Sequence, residues 1–344
     1  MNVQELQATA QALVPKSRGI LAADESDSTM ARRLKSINVE SSEGNRQAWR
    51  QLLFSSKCIG NYISGVILFD ETIRQKADTG QALVDVLNSE GVIPGIKVDK
   101  GAKPLAGSPE ETVTEGLDGL RDRLAEYREL GARFTKWRAV ISIGKNMPSS
   151  FCIDVNAHAL ARYAALSQEA GLVPIVEPEV LMDGDHDIDR CFEVTEATLH
   201  RVFEELNRQN VLLEGMLLKP NMVLSGKDAS NRAGSEAVGE ATVGCFKRAV
   251  PAAVPGIVFL SGGQRDDEAT VNLNAINQRA DAATPWELSF SYGRGLHATP
   301  LKTWGGDVAK VPEAQQAFLH RAKVTSAARD GVYSLDMERE LAGV

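Results

Sequence analysis

Eight short apolar runs recur along the chain, each followed by a segment with helical spacing, and this recurrence narrows the choice of fold more than any other feature. The runs are Gly19 to Ala23, Gly65 to Phe69, Ile93 to Val98, Phe134 to Ile141, Val173 to Val176, Gly215 to Leu218, Gly256 to Leu260 and Trp286 to Ser291. Most are nearly continuously apolar, the pattern of parallel strands covered on both faces. Between them, Leu199, Val202, Phe203 and Leu206 keep the i, i+3, i+4, i+7 spacing of one buried helix face. Leu117, Leu120 and Leu124 do the same before Gly131, as do Leu160, Tyr163 and Leu166 before Gly171. Successive runs lie about one βα unit apart. Eight such units predict a closed (β/α)8 TIM barrel in a single domain spanning 1–344. The alternative, an open doubly wound sheet, calls for a glycine-rich dinucleotide fingerprint after an early strand, and none is present. The first eighteen residues, read as a helical extension, and the last thirty or so fall outside the barrel pattern, with a helix expected from Glu313 to about Ala328 and a tail after Gly331.

Composition excludes several functions. A net charge of −8 argues against nucleic-acid binding and against anionic membrane surfaces. An anionic substrate would require positive charge gathered in one cleft. The first fifteen residues include Glu5 and no long apolar run, so no secretory signal is expected, and no stretch approaches a membrane span. Cys58, Cys152, Cys191 and Cys245 are widely separated and read as free thiols of a reduced, cytoplasmic compartment. Asp183-Gly184-Asp185-His186-Asp187 lacks calcium-loop spacing and reads as a polar turn at a helix start. No Cys/His pattern has zinc spacing. His158, His200 and His320 fall on expected helices as solvated residues, and His297 lies near the eighth strand's loop without an assigned role.

Active sites of such barrels lie at the C-terminal ends of the strands. There the chain places Asp24, Lys97, Lys136 with Arg138, Glu177 with Glu179, Lys219, Ser261-Gly262-Gly263 and Gly293-Arg294. Any one of these charges is adequately explained as an ion-pair partner, but ionisable groups at six strand ends are not. Lysine next to lysine is the informative part. A nucleophilic lysine must be neutral, and both desolvation and a nearby cation favour that form. Lys219 follows the apolar Met216-Leu217-Leu218, and Lys136 would supply the cation. A neutral Lys219 can form a Schiff base with a ketone, the electron sink that permits carbon–carbon cleavage, with carboxylates moving the protons. The glycine loops after strands seven and eight suit a phosphate, with Arg294 adding a charged fork.

The chain strongly resembles class I fructose-1,6-bisphosphate aldolases. The resemblance is carried by Arg18 to Ser26, GVILF (65–69), GIKVDKG (95–101), PLAG with GLDGL (104–120), KWR (136–138), VEPE (176–179), LLKPNM (217–222), FLSGGQ (259–264) and FSYGR (290–294). It implies Lys219 as the Schiff-base lysine and Glu177 as the acid/base of imine formation. Asp24 would take the proton of the C4 hydroxyl, Lys136 would depress the Lys219 pKa, and Glu179 would orient the charged network. It further implies Ser261, Gly262, Gly293 and Arg294 at the 1-phosphate and Ser26, Thr29, Arg33 and Lys97 toward the 6-phosphate, with Arg138 also contacting substrate. A homotetramer without metal or organic cofactor is implied, acting on a sugar bisphosphate and triose phosphates. Two departures stand out. Asp27-Ser28-Thr29 replaces the animal-type Thr-Gly-Ser, bringing a negative charge toward the expected 6-phosphate site. The chain ends Leu341-Ala342-Gly343-Val344, where animal members carry a terminal tyrosine, and Tyr333 is too far upstream to stand in for it. Transaldolases and deoxyribose-phosphate aldolases share the Schiff-base barrel, and a non-catalytic scaffold on the same fold is a third reading. The two expected phosphate sites and the complete set Asp24, Lys136, Glu177 and Lys219 favour the bisphosphate enzyme over both.

Overall fold

All eight apolar runs form strands in the computed structural model, which describes residues 2–339. In chain order the first half contains α1 (Val3–Leu13), β1 (Gly19–Ala23), α2 (Asp27–Lys35), α3 (Glu43–Phe54), β2 (Ile63–Leu68), α4 (Asp70–Arg74), α5 (Leu83–Ser89), β3 (Ile93–Lys97), β4 (Ala102–Leu105), β5 (Ser108–Thr114), α6 (Leu120–Glu129) and β6 (Phe134–Ile141). It continues through α7 (Ser150–Glu169), β7 (Val173–Val180), α8 (Ile188–Arg208), β8 (Leu217–Leu218), α9 (Ser235–Ala249), β9 (Gly256–Phe259), α10 (Asp266–Arg279), β10 (Glu287–Tyr292), α11 (Arg294–Trp304) and α12 (Val311–Arg329). The strands β1-β10-β9-β8-β7-β6-β3-β2 close into a barrel through parallel pairs. This is the expected (β/α)8 barrel. Its strands are buried almost throughout because helices cover one face and the barrel core the other, which is why they read as unbroken apolar runs.

The N-terminal mouth is plugged by α1. Leu6, Ala10, Leu13 and Val14 pack with Phe134, Val173, Leu217 and Val258 at the bases of the strands. Burial of each large aliphatic side chain contributes about 1.5–3 kcal/mol. The plug fits closely because two strand bases are glycine: a Cβ on Gly65 would lie 2.7 Å from Leu13, and one on Gly256 2.7 Å from Val14. The Ser64 hydroxyl donates to the Leu13 carbonyl at 2.6 Å and closes the end of α1. The charged ends of the strands are therefore left open at the opposite mouth.

Several expectations shift. Leu117 precedes α6 instead of sitting on it, because Gly119 takes up a left-handed φ of 63° at the helix start. An antiparallel hairpin, β4 with β5, rises after β3; its largely polar, partly exposed residues carry no apolar-run signal. The turn Asp183–Asp187 does cap a helix: the Asp187 carboxylate accepts from the Arg190 amide at 2.8 Å. His158 and His200 are exposed side chains on α7 and α8, but His320 is largely buried, its side chain 11% exposed. In the segment after Gly331, expected as a tail, Tyr333 and Glu338 anchor the described part to the barrel's helices. Tyr333 is buried, its amide donates to Asn274 at 3.0 Å, and its hydroxyl meets Glu338 at 3.1 Å. Glu338 in turn pairs with Arg321 at 2.6 Å. Leu341 to Val344 lie outside the described residues.

Candidate active site

The barrel register brings the charged strand ends together. Lys97 on β3 pairs across the sheet with Lys136 on β6, and Arg138 on β6 with Glu177 on β7. Lys219 follows β8, and its amide still donates to the Val176 carbonyl at 2.8 Å, so the strand geometry extends to this residue. The Leu260 amide donates to the Pro220 carbonyl at 3.1 Å and ties the next strand end alongside.

At the centre, the Lys136 ammonium lies 3.0 Å from Asp24 Oδ2 and 3.0 Å from Glu177 Oε2. Glu177 Oε1 lies 3.5 Å from the Lys219 Nζ. Lys136, Glu177 and Lys219 are buried, Lys219 being 3% exposed, and the Asp24 side chain is 12% exposed. Burial holds Lys219 below the ordinary lysine pKa; Glu177 opposes this, and the Lys136 cation reinforces it. Lys136 moves the other way: burial would lower it, but Asp24 and Glu177 outweigh burial and keep it protonated. Burial would raise Asp24, yet Lys136, with help from Lys219 and Lys97, brings it down to about 2. Two lysines in one pocket are thus driven apart in protonation, one toward the free amine and one firmly cationic.

A cleft of about 540 Å³ opens above this cluster. It is lined by Arg32, Arg33, Lys136, Arg138, Lys219, Arg294 and Lys302 against Asp24, Glu177 and Glu179, seven bases to three acids in a chain of net charge −8. Glu179 pairs with Arg138. Ser261, Gly262 and Gly293 form one wall, and Gly262 has a φ of 54°, a left-handed turn that favours glycine. Arg294 donates to the Gly262 carbonyl, fastening the loops after β9 and β10 to each other.

Twelve of the fourteen expected site residues, Thr29 and Arg33 included, line this cleft or belong to its charged centre. Ser26 and Lys97 line a second cleft of about 740 Å³ beside the β3 end. The Ser26 hydroxyl reaches Thr29 at 3.3 Å, at the border of the two. Lys97 lies 3.2 Å from Asp99. Asp27 lines neither cleft: its side chain is 65% exposed and points to Arg46, 3.9 Å away. Sequence reasoning missed Ser291, Arg32 and Lys302 in the cleft wall, and the Glu25–His297 contact beneath it. Ser291 was legible as a hydroxyl alternating with apolar residues along β10. Among the described residues no group of three or more His, Cys, Asp or Glu is placed to hold a metal ion.

Comparison with known proteins identifies the family. Residues 5–343 match the model of the family described as fructose-bisphosphate aldolase class-I. A probable fructose-bisphosphate aldolase class 1 of Xanthomonas campestris pv. campestris is 56% identical over 332 residues, 96% of this chain and 99% of its own length. A cytosolic fructose-bisphosphate aldolase of Arabidopsis thaliana is 54% identical over 334 residues, 97% of this chain and 85% of its own. A Plasmodium falciparum fructose-bisphosphate aldolase structure superposes with a TM-score of 0.95 at 48% identity, covering 96% of this chain and 95% of that one. With nearly its whole length matched and the charged barrel mouth in place, the chain belongs to the class-I fructose-bisphosphate aldolase family.

Proposed function

We propose that the cleft cleaves fructose 1,6-bisphosphate reversibly into dihydroxyacetone phosphate and glyceraldehyde 3-phosphate through a Schiff base on Lys219. One observation carries this reading: a buried lysine with a lowered pKa stands 3.5 Å from a carboxylate beneath a cationic cleft. The neutral Lys219 amine adds to the C2 ketone, and Glu177 passes the proton that lets water leave and the iminium form. Asp24, anionic at neutral pH, takes the proton of the C4 hydroxyl. The C3–C4 bond then breaks, its electron pair moves into the iminium to give an enamine, and glyceraldehyde 3-phosphate departs. Protonation at C3 and hydrolysis release dihydroxyacetone phosphate and restore Lys219. Lys136 keeps Asp24 charged and discourages protonation of Lys219. Glu179 holds Arg138 at the cleft wall.

The Ser261–Gly262 and Gly293–Arg294 loops receive the 1-phosphate, with Arg294 already held by the Gly262 carbonyl. Thr29 and Arg33, with Ser26 and Lys97 beyond them, receive the 6-phosphate. The protein acts in the cytoplasm as a homotetramer. The plant relatives named cytosolic or cytoplasmic support that location, and no described helix is long and apolar enough to cross a membrane. The tetramer rests on the family and is tested by light scattering. Reduction with borohydride in the presence of dihydroxyacetone phosphate, followed by peptide mass mapping, tests the chemistry. A stable adduct on Lys219 is expected; folded protein without an adduct, beside a control aldolase that labels, refutes the lysine mechanism.

A further inference from the structure

Directly beneath the cleft, Glu25 joins four elements at one buried carboxylate. Its side chain is 6% exposed, and it follows Asp24 in the chain. Oε2 meets Arg50 of α3 at 2.6 Å, while Oε1 meets Arg33 of α2 at 3.3 Å and Nδ1 of His297 of α11 at 3.0 Å. Arg50 and His297 are buried, whereas Arg33, 25% exposed, also lines the cleft. The His297 ring stands edge-on to Trp49 at 5.9 Å, and Trp49 packs on Trp304 at 5.6 Å, so aromatic packing holds α11 against α3. His297 Nε2 meets no hydrogen-bond partner among the described residues, the arrangement of a neutral ring that carries its proton on Nδ1 and donates to Glu25. Burial agrees, holding the ring below its ordinary pKa against the pull of Glu25.

The consequence is geometric. Arg294 opens α11 at one end of the cleft, and His297 is the residue one turn further on. Arg33 projects into the cleft from α2 and is tethered by the same carboxylate. We propose that the Glu25–His297 hydrogen bond is a positioning strut that sets the distance between the two anion-holding ends of the cleft, and so makes the site selective for a substrate with a phosphate at each end. Neither residue lines the cleft. A bisphosphate must satisfy both ends at once and is sensitive to their spacing, whereas a 1-monophosphate needs only the Arg294 end. The strut extends the proposed aldolase reading and rests on it for the choice of substrates.

The test compares His297→Leu, which keeps bulk but cannot donate, with His297→Asn, whose amide nitrogen stands two bonds from Cβ as Nδ1 does and can donate. KM and kcat are measured for fructose 1,6-bisphosphate and for fructose 1-phosphate. Loss of a buried hydrogen bond to a charged group predicts that in His297→Leu the KM for the bisphosphate rises about tenfold, while its kcat and the KM for the monophosphate change less than about threefold. His297→Asn recovers most of the lost selectivity. A general structural defect would weaken both substrates alike. An unchanged selectivity ratio in His297→Leu, or equal impairment of the two variants, overturns the strut. Should His297→Leu not fold, His297→Met asks the same question with a more adaptable apolar side chain that cannot donate to Glu25, and an unchanged ratio there is equally fatal. Calorimetric binding of a hexitol 1,6-bisphosphate against a hexitol 1-phosphate gives the same ratio without turnover. If the wild type binds both but cleaves neither fructose ester, the aldolase reading fails, and the binding ratio still decides the strut.

Discussion

Lys136→Met is the perturbation that reaches furthest into this site. The side chain keeps similar bulk, but two buried carboxylates, each 3.0 Å from the lost ammonium, are left without it. Removing one partner of a buried ion pair costs about 3–5 kcal/mol, chiefly the penalty of the stranded charge. With an unfolding entropy of about 2.1 cal/mol/K per residue over 344 residues, that is a Tm deficit of about 4–7 °C at neutral pH. The pH dependence carries a definite sign. In the wild type, Asp24 titrates at about 2 against an ordinary value of 3.8. A carboxylate depressed on folding contributes stability above its unfolded pKa and loses it as pH falls through the folded one; here that amounts to about 2.5 kcal/mol between pH 5 and pH 1, of which about 1 kcal/mol has gone by pH 3. In the variant, burial of Asp24 is no longer outweighed by the cation, its folded pKa moves upward, and acid relieves the protein. The Tm deficit therefore narrows by about 1–2 °C or more between pH 7.5 and pH 3.

The same substitution acts on Lys219. Lys136 lowers the Lys219 pKa, and Glu177 raises it. Loss of Lys136 removes the first influence and frees Glu177 to exert the second, so both changes favour the ammonium. The pH at which borohydride trapping of dihydroxyacetone phosphate reaches half its plateau should move upward. Thermal melts at four pH values and one trapping profile read both effects. A deficit constant from pH 7.5 to 3, or a trapping profile that stays in place or moves to lower pH, refutes the assignment of Lys136 as the cation shared by the two carboxylates.

Gly256→Ala places a Cβ 2.7 Å from Val14 in the plug. Overpacking of this kind costs about 1–3 kcal/mol, so Tm should fall while KM, governed at the opposite mouth, stays unchanged; a shifted KM at constant Tm would count against the plug. Asp27→Ser should alter the KM for the bisphosphate by less than about twofold, since the carboxylate is solvated and turned toward Arg46. A larger improvement in KM would place Asp27 at the phosphate after all.

What could be read from the chain and what could not divide along physical lines. Continuous apolar runs mark strands buried on both faces, so all eight barrel strands were visible, including the two-residue β8, whose upstream neighbours Gly215 and Met216 extend its signature. Once the barrel is granted, ionisable residues at strand ends have one destination, and Lys219 after an apolar run needs no partner to be noticed. The β4–β5 hairpin is polar and half exposed and carries no comparable signal. The helical spacing of Leu6, Ala10 and Leu13 shows that α1 buries a face, but not that the face fills a barrel mouth.

Asp24 and Glu25 show the limit most clearly. They are adjacent, and their side chains reach opposite surroundings: Asp24 meets Lys136 in the cleft, and Glu25 meets Arg50 and His297 beneath it. Composition and alternation place one carboxylate on each side of the β1 end, yet what each does depends on partners 112 and 272 residues away. A residue that reacts is chosen by its local burial and can be recognised where it stands. A residue that positions others is defined by the span it bridges, and that span exists only after the barrel has closed and brought α11 back beside the first strand. The lysine proposed to form the Schiff base could therefore be read from six residues of sequence, while the contact proposed to set the substrate's length needed the whole fold.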